Sequence, residues 1–428
     1  VQAVILAAGL GTRISSLTHN QIPKGLLKVA GREILYRTLT YLQKNGVNEF
    51  IVVVNPQFKK RYEDFFKKYS FSVKFVLNSS PERGNGYSLF LAKELVKDKF
   101  VLVMSDHLYE EAFVKEAIGK EGLIVDAQGK YIDSEEATKV KINQDRVVEI
   151  GKSLRDYQAF DTGFFVLTPE VFKVAEELVS SKDVVELSEI VKKAGLKVSF
   201  VNGYFWMDVD TPEDLAKARK FLVKTAVKGA GDGLISRLIN RRISTWVSSY
   251  LVEKVSPNQA TFFTFILGIL SALVALINVP LGGVLYQVSS ILDGIDGEIA
   301  RASLRTSRWG GYLDSVLDRY VDFAFLLALM WKTAPPLSFF PVVCMAMFGS
   351  VMVSYSTERY KAAFGEDIYV KVPAMKYLLG KRDERVFLIM LFCLFNRIFE
   401  LFLILAVLTN LRVILTLIFA WRAQRFLT

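Results

Sequence analysis

A chain of 428 residues, 51% of them hydrophobic, exceeds one ordinary folding core, so two domains are expected. The 54 Lys and Arg against 44 Asp and Glu leave a net charge of +10. The basic residues gather beside apolar runs, which favours anionic lipid as the charged partner and argues against nucleic acid. The two cysteines, Cys344 and Cys393, lie inside apolar runs at no metal-ligand spacing, which excludes a disulfide framework and a thiolate metal centre.

Residues 1–224 alternate strand and helix patterns. Val1 to Ala7 is an apolar strand with no signal-peptide pattern, so this half is expected in the cytoplasm. The spacing predicts a helix over Ile34 to Lys44, closed by Asn45-Gly46. Strands follow at Phe50 to Val54 and Phe71 to Leu77, then a helix over Tyr87 to Val96 and a strand over Phe100 to Met104. Shorter strands are expected at 139–142, 147–150, 163–167 and 198–201. Apolar strands separated by helices predict an α/β, Rossmann-like domain with a mostly parallel sheet.

Residues 225–257 read as a basic amphipathic juxtamembrane linker. Arg237, Arg241, Arg242 and Lys254 alternate with Leu238, Ile243, Trp246 and Leu251, a pattern suited to the membrane surface. Residues 258–428 then read as an all-α membrane domain with six transmembrane helices, near 261–279, 282–299, 309–331, 335–356, 384–396 and 398–421. Arg301, Arg305, Arg308, Arg359, Lys371, Lys376, Lys381 and Arg382 concentrate in alternate connections. The positive-inside rule therefore predicts a multi-pass protein with both termini and the basic loops cytoplasmic.

Four carboxylates stand out at membrane level, where they are expensive and mark function. Asp293 and Asp296 are three apart, and Asp314 and Asp318 are four apart, so each pair shares a helical face. Convergence of the four would make a hard oxygen site suited to Mg²⁺ or Mn²⁺. A satisfied polar cluster or an ion path would also accommodate four acids.

The full string is more specific. Asp293-x2-Asp296-Gly297-x2-Ala300-Arg301-x8-Gly310-x3-Asp314-x3-Asp318 resembles the signature of the CDP-alcohol phosphotransferase family, and Pro257-Asn258 resembles its element before the first span. Eight fixed positions match by chance on the order of once in 10¹⁰ starts. The resemblance implies metal binding by Asp293, Asp296, Asp314 and Asp318, with Asp318 also the general base. It implies nucleotide contacts from Asn258, Asp296, Gly297, Ala300 and Arg301, and a homodimer formed through the spans. Arg359, Arg382 and Arg385 are expected to bind a phosphorylated acceptor, against the plainer reading that they obey the positive-inside rule.

In the first half, Ala7-Ala8-Gly9-Leu10-Gly11-Thr12-Arg13 follows the first strand, with Pro23-Lys24 beyond it. The string resembles the sugar-phosphate nucleotidyltransferase family. The resemblance implies that Ala8, Gly9, Gly11 and Thr12 cradle a nucleotide and that Arg13 and Lys24 act on its phosphates. It further implies metal binding by Asp106 and Asp208, base recognition by Glu82 and Gly84, and sugar-phosphate contacts from Lys152 and Asp161. Asp210 stands where sugar-specific members often have Gly, which tilts the nucleotide to CTP.

Fusion suggests that the first domain makes the CDP-alcohol that the second consumes. The arrangement resembles a family of bifunctional enzymes that build CDP-inositol from CTP and inositol phosphate and pass it to a second inositol phosphate. A membrane-lipid acceptor remains an open alternative, as does a non-catalytic transporter or sensor.

Overall fold

The computed structural model describes residues 1–9, 22–229 and 232–425. It divides into two compact units, Val1–Arg219 and Lys220–Thr428.

The strands of the first unit are β1 (Gln2–Ala7), β2 (Lys28–Val29), β3 (Arg32–Glu33), β4 (Glu49–Val54), β5 (Val73–Leu77), β6 (Phe100–Met104), β7 (His107–Tyr109), β8 (Gly122–Asp126), β9 (Lys139–Asn143), β10 (Arg146–Gly151), β11 (Ala159–Leu167), β12 (Val198–Phe200) and β13 (Trp206–Asp208). The main sheet runs β10-β9-β11-β6-β1-β4-β5, with β8 branching from β11 and β12 pairing with β8. The expected mostly parallel sheet is corrected to a mixed one. β1, β4, β5 and β6 pair parallel, whereas β11 pairs antiparallel with β6, β8 and β9. The physical reason is visible in the connections: β9 and β10 are joined by a tight turn through Gln144 and Asp145, both at positive φ, and a hairpin can only be antiparallel.

The helices α1 (Ile34–Lys44), α2 (Lys59–Tyr69), α3 (Asn85–Leu91), α4 (Glu111–Ile118), α5 (Val171–Ser181), α6 (Leu187–Ala194) and α7 (Pro212–Thr225) accompany these strands. The helix expected over Tyr87 to Val96 is shorter, ending at Leu91 before a 3₁₀ turn. Val4, Leu6, Ile51, Val53, Leu102, Phe165 and Phe172 fill one buried cluster. Strands β1 and β6 are buried almost throughout, as a sheet covered on both faces requires.

The second unit comprises α8 (Arg241–Leu251), α9 (Pro257–Ile277), α10 (Val279–Leu292), α11 (Gly294–Ala302), α12 (Arg308–Thr333), α13 (Phe340–Phe364), α14 (Ile368–Lys371), α15 (Arg382–Leu394) and α16 (Ile398–Arg425). Among the described residues, three segments are long and apolar enough to cross a membrane: Pro257–Ile277, Leu337–Phe364 and Ile398–Ala423. The second expected span is divided at Asp293 into α10 and α11. α12 is 26 residues long but interrupted by acids, and α15 has only 13 residues.

Local chemistry sets these boundaries. Ser256 and Gln259 cap α9 reciprocally, with Pro257 in its first turn. Asn278 caps α10 by accepting from Leu281 N at 3.0 Å. Close helix crossings fall at small residues. A Cβ on Gly268 would lie 2.5 Å from Val321, and one on Gly349 would fall on Thr409. Tyr286 and Phe325 stack with centroids 4.1 Å apart in the core between α10 and α12.

Candidate active sites

In the first unit the site lies at the carboxyl ends of β1 and β6, where open α/β sheets bind ligands. Ala8 and Gly9 leave β1 there, and Lys24 opens a 3₁₀ turn after extended Pro23. Gly11, Thr12 and Arg13 lie outside the described residues. Lys24 Nζ is 3.5 Å from Asp106 Oδ2 and is also paired with Asp210. Asp106 Oδ1 is 3.0 Å from His107 Nδ1, and β7 pairs with β13 so that Asp208 faces His107. Two acids 102 positions apart in sequence (Asp106 and Asp208) therefore flank one imidazole.

The titration of these groups follows their surroundings. Burial pushes the Asp106 carboxyl up, but the hydrogen bond and charge of His107 and the charge of Lys24 outweigh it and hold it at about 2. Burial lowers Lys24 and His107, yet their acidic partners raise both above their usual values. Asp161 moves the other way. Its burial dominates over the Gly163 N–H that it accepts at 2.8 Å and over the charge of His107, and carries it up to about 6.

A cavity of about 300 Å³ beside these groups is lined by Asn85, His107, Lys152, Asp161, Gly163 and Asp208, among others. It thus brings together three residues expected from sequence: Lys152, Asp161 and Asp208. Lys24, Glu82 and Gly84 do not line it. Gly84 has φ +91°, and a Cβ there would lie 2.5 Å from the Val185 carbonyl, so packing alone demands glycine. Gly163, at φ +67°, has the same constraint against His107 Nε2 at 2.6 Å. His107 was not singled out by sequence. The available signal was its place directly after Asp106 at a strand end, in a chain with only two histidines.

In the second unit, Asp293, Asp314 and Asp318 each offer an oxygen within 4.8 Å of the others. This donor set suits a hard divalent cation. Of the four acids expected to converge, these three meet within that distance. Asp296 is buried and accepts from Thr261 Oγ1 at 2.5 Å. Arg382 stands among the acids. Its Nη1 is 2.7 Å from Asp293, its Nη2 is 3.1 Å from Asp318, and its Nε is 3.0 Å from Asp322. Asp322 also accepts from Tyr286 OH at 2.7 Å.

Two cavities open near this cluster. One, of about 760 Å³, is lined by Asn258, Asp296, Gly297, Ala300, Arg301 and Asp314 together with Lys228 and Arg305. Every nucleotide-contact residue expected for this unit is in it. The other, of about 240 Å³, is lined by Asp293, Asp318, Arg241, Tyr369, Lys381 and Arg382, among others. The expected acceptor trio is not assembled here. Arg382 lines the cavity, but Arg385 is buried behind it, donating to Gly380 O at 2.9 Å, and Arg359 is exposed and outside the lining. Lys381, not singled out from sequence for this role, takes a place in the wall.

Comparison with known proteins follows the same division. The nucleotidyl transferase family matches residues 2–225, and the CDP-alcohol phosphatidyltransferase family matches residues 254–422. The bifunctional IPC transferase and DIPP synthase of Aquifex aeolicus is 55% identical, covering 99% of this chain and 98% of the relative. That of Thermococcus kodakarensis is 56% identical over 98% of this chain and 96% of the relative. Among solved structures, the inositol-1-phosphate CTP transferase of T. maritima is 31% identical, with a TM-score of 0.47, covering 51% of this chain and 96% of that one. The chain is an enzyme with a nucleotidyltransferase part and a CDP-alcohol phosphotransferase part, and it belongs to the family of bifunctional IPC transferases and DIPP synthases.

Proposed function

We propose that this protein makes CDP-inositol from CTP and inositol 1-phosphate, then transfers phosphoinositol to a second inositol phosphate with release of CMP. The observation that carries the reading is the pair of cavities near Asp293, Asp314 and Asp318, one lined by the nucleotide motif and the other by Lys381 and Arg382. An acceptor that brings its own phosphate suits the second wall, since guanidinium and ammonium groups are strong phosphate partners.

In the first step an oxygen of inositol 1-phosphate attacks the α-phosphorus of CTP, and pyrophosphate leaves. Lys24 and Arg13 offset phosphate charge, and Ala8, Gly9, Gly11 and Thr12 bind the nucleotide. Glu82 and Gly84 contact the base. Lys152 holds the sugar phosphate, and Asp161 accepts from its hydroxyls. Asp106 and Asp208 would hold Mg²⁺, with Mn²⁺ as a substitute.

In the second step the acceptor hydroxyl attacks the β-phosphorus of CDP-inositol, and the bond to CMP breaks. Asp318 takes the hydroxyl proton. Asn258, Gly297, Ala300 and Arg301 hold the cytidine end. Asp293, Asp296, Asp314 and Asp318 would hold a divalent ion of the same kind, which when bound supplies charge neutralisation at the pyrophosphate. Arg382 and Lys381 take the acceptor phosphate, and Arg385 fixes Asp322 behind them.

In this reading residues 1–224 are cytoplasmic, 225–257 form the juxtamembrane linker, and 258–428 cross the cell membrane six times as a homodimer with both sites on the cytoplasmic side. α8 supports the linker assignment: Ile243, Trp246 and Tyr250 are exposed, while Ser244 and Ser248 are buried. The test is to supply full-length protein with Mg²⁺, CTP and inositol 1-phosphate and to partition the product. A water-soluble phosphodiester with stoichiometric CMP supports the reading. A phosphodiester that requires added lipid and extracts into organic solvent overturns it.

A further inference from the structure

Glu298 lies in the signature segment at a position the signature leaves free, yet it is fully buried, at 0% exposure. Among the described residues, the hydrogen-bond partners of its side chain all come from α8. Ser244 Oγ donates to Oε1 at 2.6 Å, Ser248 Oγ donates to Oε2 at 2.7 Å, and Arg241 Nη1 lies 3.2 Å from Oε1. Arg241 is held in turn by Asp232, at 2.8 and 2.9 Å. Gly294, at another free position, makes room for this: a Cβ there would fall on Arg241 Nη1. The two serines sit one helical turn apart, so both grip the same carboxylate from one face of α8.

A buried carboxylate is tolerated only when charge and hydrogen bonds satisfy it, and its partners then have one arrangement. Glu298 precedes Ala300 and Arg301 and follows Asp296 and Gly297 on α11, all four of which line the larger cavity, while Glu298 itself lines neither cavity. We infer that Glu298 is a positioning residue: by locking α11 onto α8 it fixes where the signature helix presents its nucleotide contacts. The inference rests on the proposed use of the larger cavity for the CDP end of the donor.

The experiment measures the second step with the full-length protein in detergent, supplying CDP-inositol, inositol 1-phosphate and Mg²⁺, for wild type, Glu298→Ala, Glu298→Gln and the Ser244→Ala/Ser248→Ala pair. Glu298→Ala is expected to raise the donor KM roughly ten- to a hundredfold, as small misplacements of contact groups do. The rate of CDP-inositol formation from CTP should stay near wild type, and the acceptor KM should rise less than the donor KM, since only Arg241 of the tie lines the smaller cavity. Glu298→Gln keeps the serine contacts and should recover most of the donor KM. The serine pair should raise it without adding to Glu298→Ala, since both break one tie. Should Glu298→Ala not fold, the glutamine and serine variants carry the same comparison. Donor and acceptor KM rising in step, or additive effects of the serine pair and Glu298→Ala, would overturn the inference. A wild type that releases no CMP from CDP-inositol overturns the proposed function and this inference with it, whereas an active wild type with unmoved donor KM in every variant overturns the inference alone.

Discussion

Arg382 Nη1 lies 2.7 Å from Asp293 Oδ2, joining the first residue of α15 to the break between α10 and α11. The same guanidinium reaches Asp318 and Asp322, so one cation from the end of the sequence organises acids from two earlier helices. Removing one partner of such a network leaves charge uncompensated, at a cost on the order of 3–5 kcal/mol. Arg382→Met is therefore expected to lower the melting temperature of the second unit and to slow CMP release from CDP-inositol at least about a hundredfold. Unchanged kinetics at saturating acceptor would count against its place in the site.

Asp314→Asn should stop the second step and spare the first. CDP-inositol should accumulate while pyrophosphate release continues at the wild-type rate. Chelation with EDTA should stop both steps, and added Mg²⁺ should restore them in wild type but only the first in the variant. Following pyrophosphate and CMP in parallel checks this.

Gly163→Ala places a Cβ 2.6 Å from the His107 ring at φ +67°. The strain is expected to destabilise the first unit by about 1–3 kcal/mol. It should also disturb Asp161, which accepts from Gly163 N. CDP-inositol formation should fall, while CMP release from supplied CDP-inositol stays intact. Equal loss of both activities would mean that the substitution acts beyond this site.

The Asp161 carboxyl sits at about 6 against an ordinary 3.8 because burial opposes its charge. A folded value above the unfolded one means that its protonation favours the fold. That contribution is fully present below about pH 4 and lost as pH rises through about 6. Asp161→Asn should therefore stabilise the unliganded protein relative to wild type more at pH 7 than at pH 4. The rise from 3.8 to about 6 corresponds to about 3 kcal/mol, and partial exposure reduces the expected difference to about 1–2 kcal/mol. Urea unfolding at the two pH values measures it. A difference that shrinks towards pH 7 would contradict the assignment.

Local signals carried much of this architecture. The helix Ile34–Lys44 and the strand Phe100–Met104 appear with the ends that their apolar pattern and caps predict. The signature acids announced themselves because charge at membrane level is costly. Three features depended on contacts that spacing does not encode. Antiparallel pairing of β11 with β6, β8 and β9 is a matter of topology. The hydrogen bond from Thr261 Oγ1 to Asp296 joins α9 to α11 across 35 positions, a contact that neither segment's own pattern encodes. Arg412 is a fully buried cation whose partners are the carbonyls of Leu378 and Leu379 and the hydroxyl of Tyr369, and no residue type in its own neighbourhood signals that loop.

The order of the two reactions is tested most directly by phosphorus NMR on a single mixture of full-length protein, Mg²⁺, CTP and inositol 1-phosphate, comparing wild type with Asp318→Asn. Wild type should yield pyrophosphate, CMP and a phosphodiester, with the CDP-inositol diphosphate signal appearing only transiently. The variant should stop at CDP-inositol and pyrophosphate. A variant that still forms the phosphodiester at the wild-type rate, or a wild type that forms no CDP-inositol, would contradict the account.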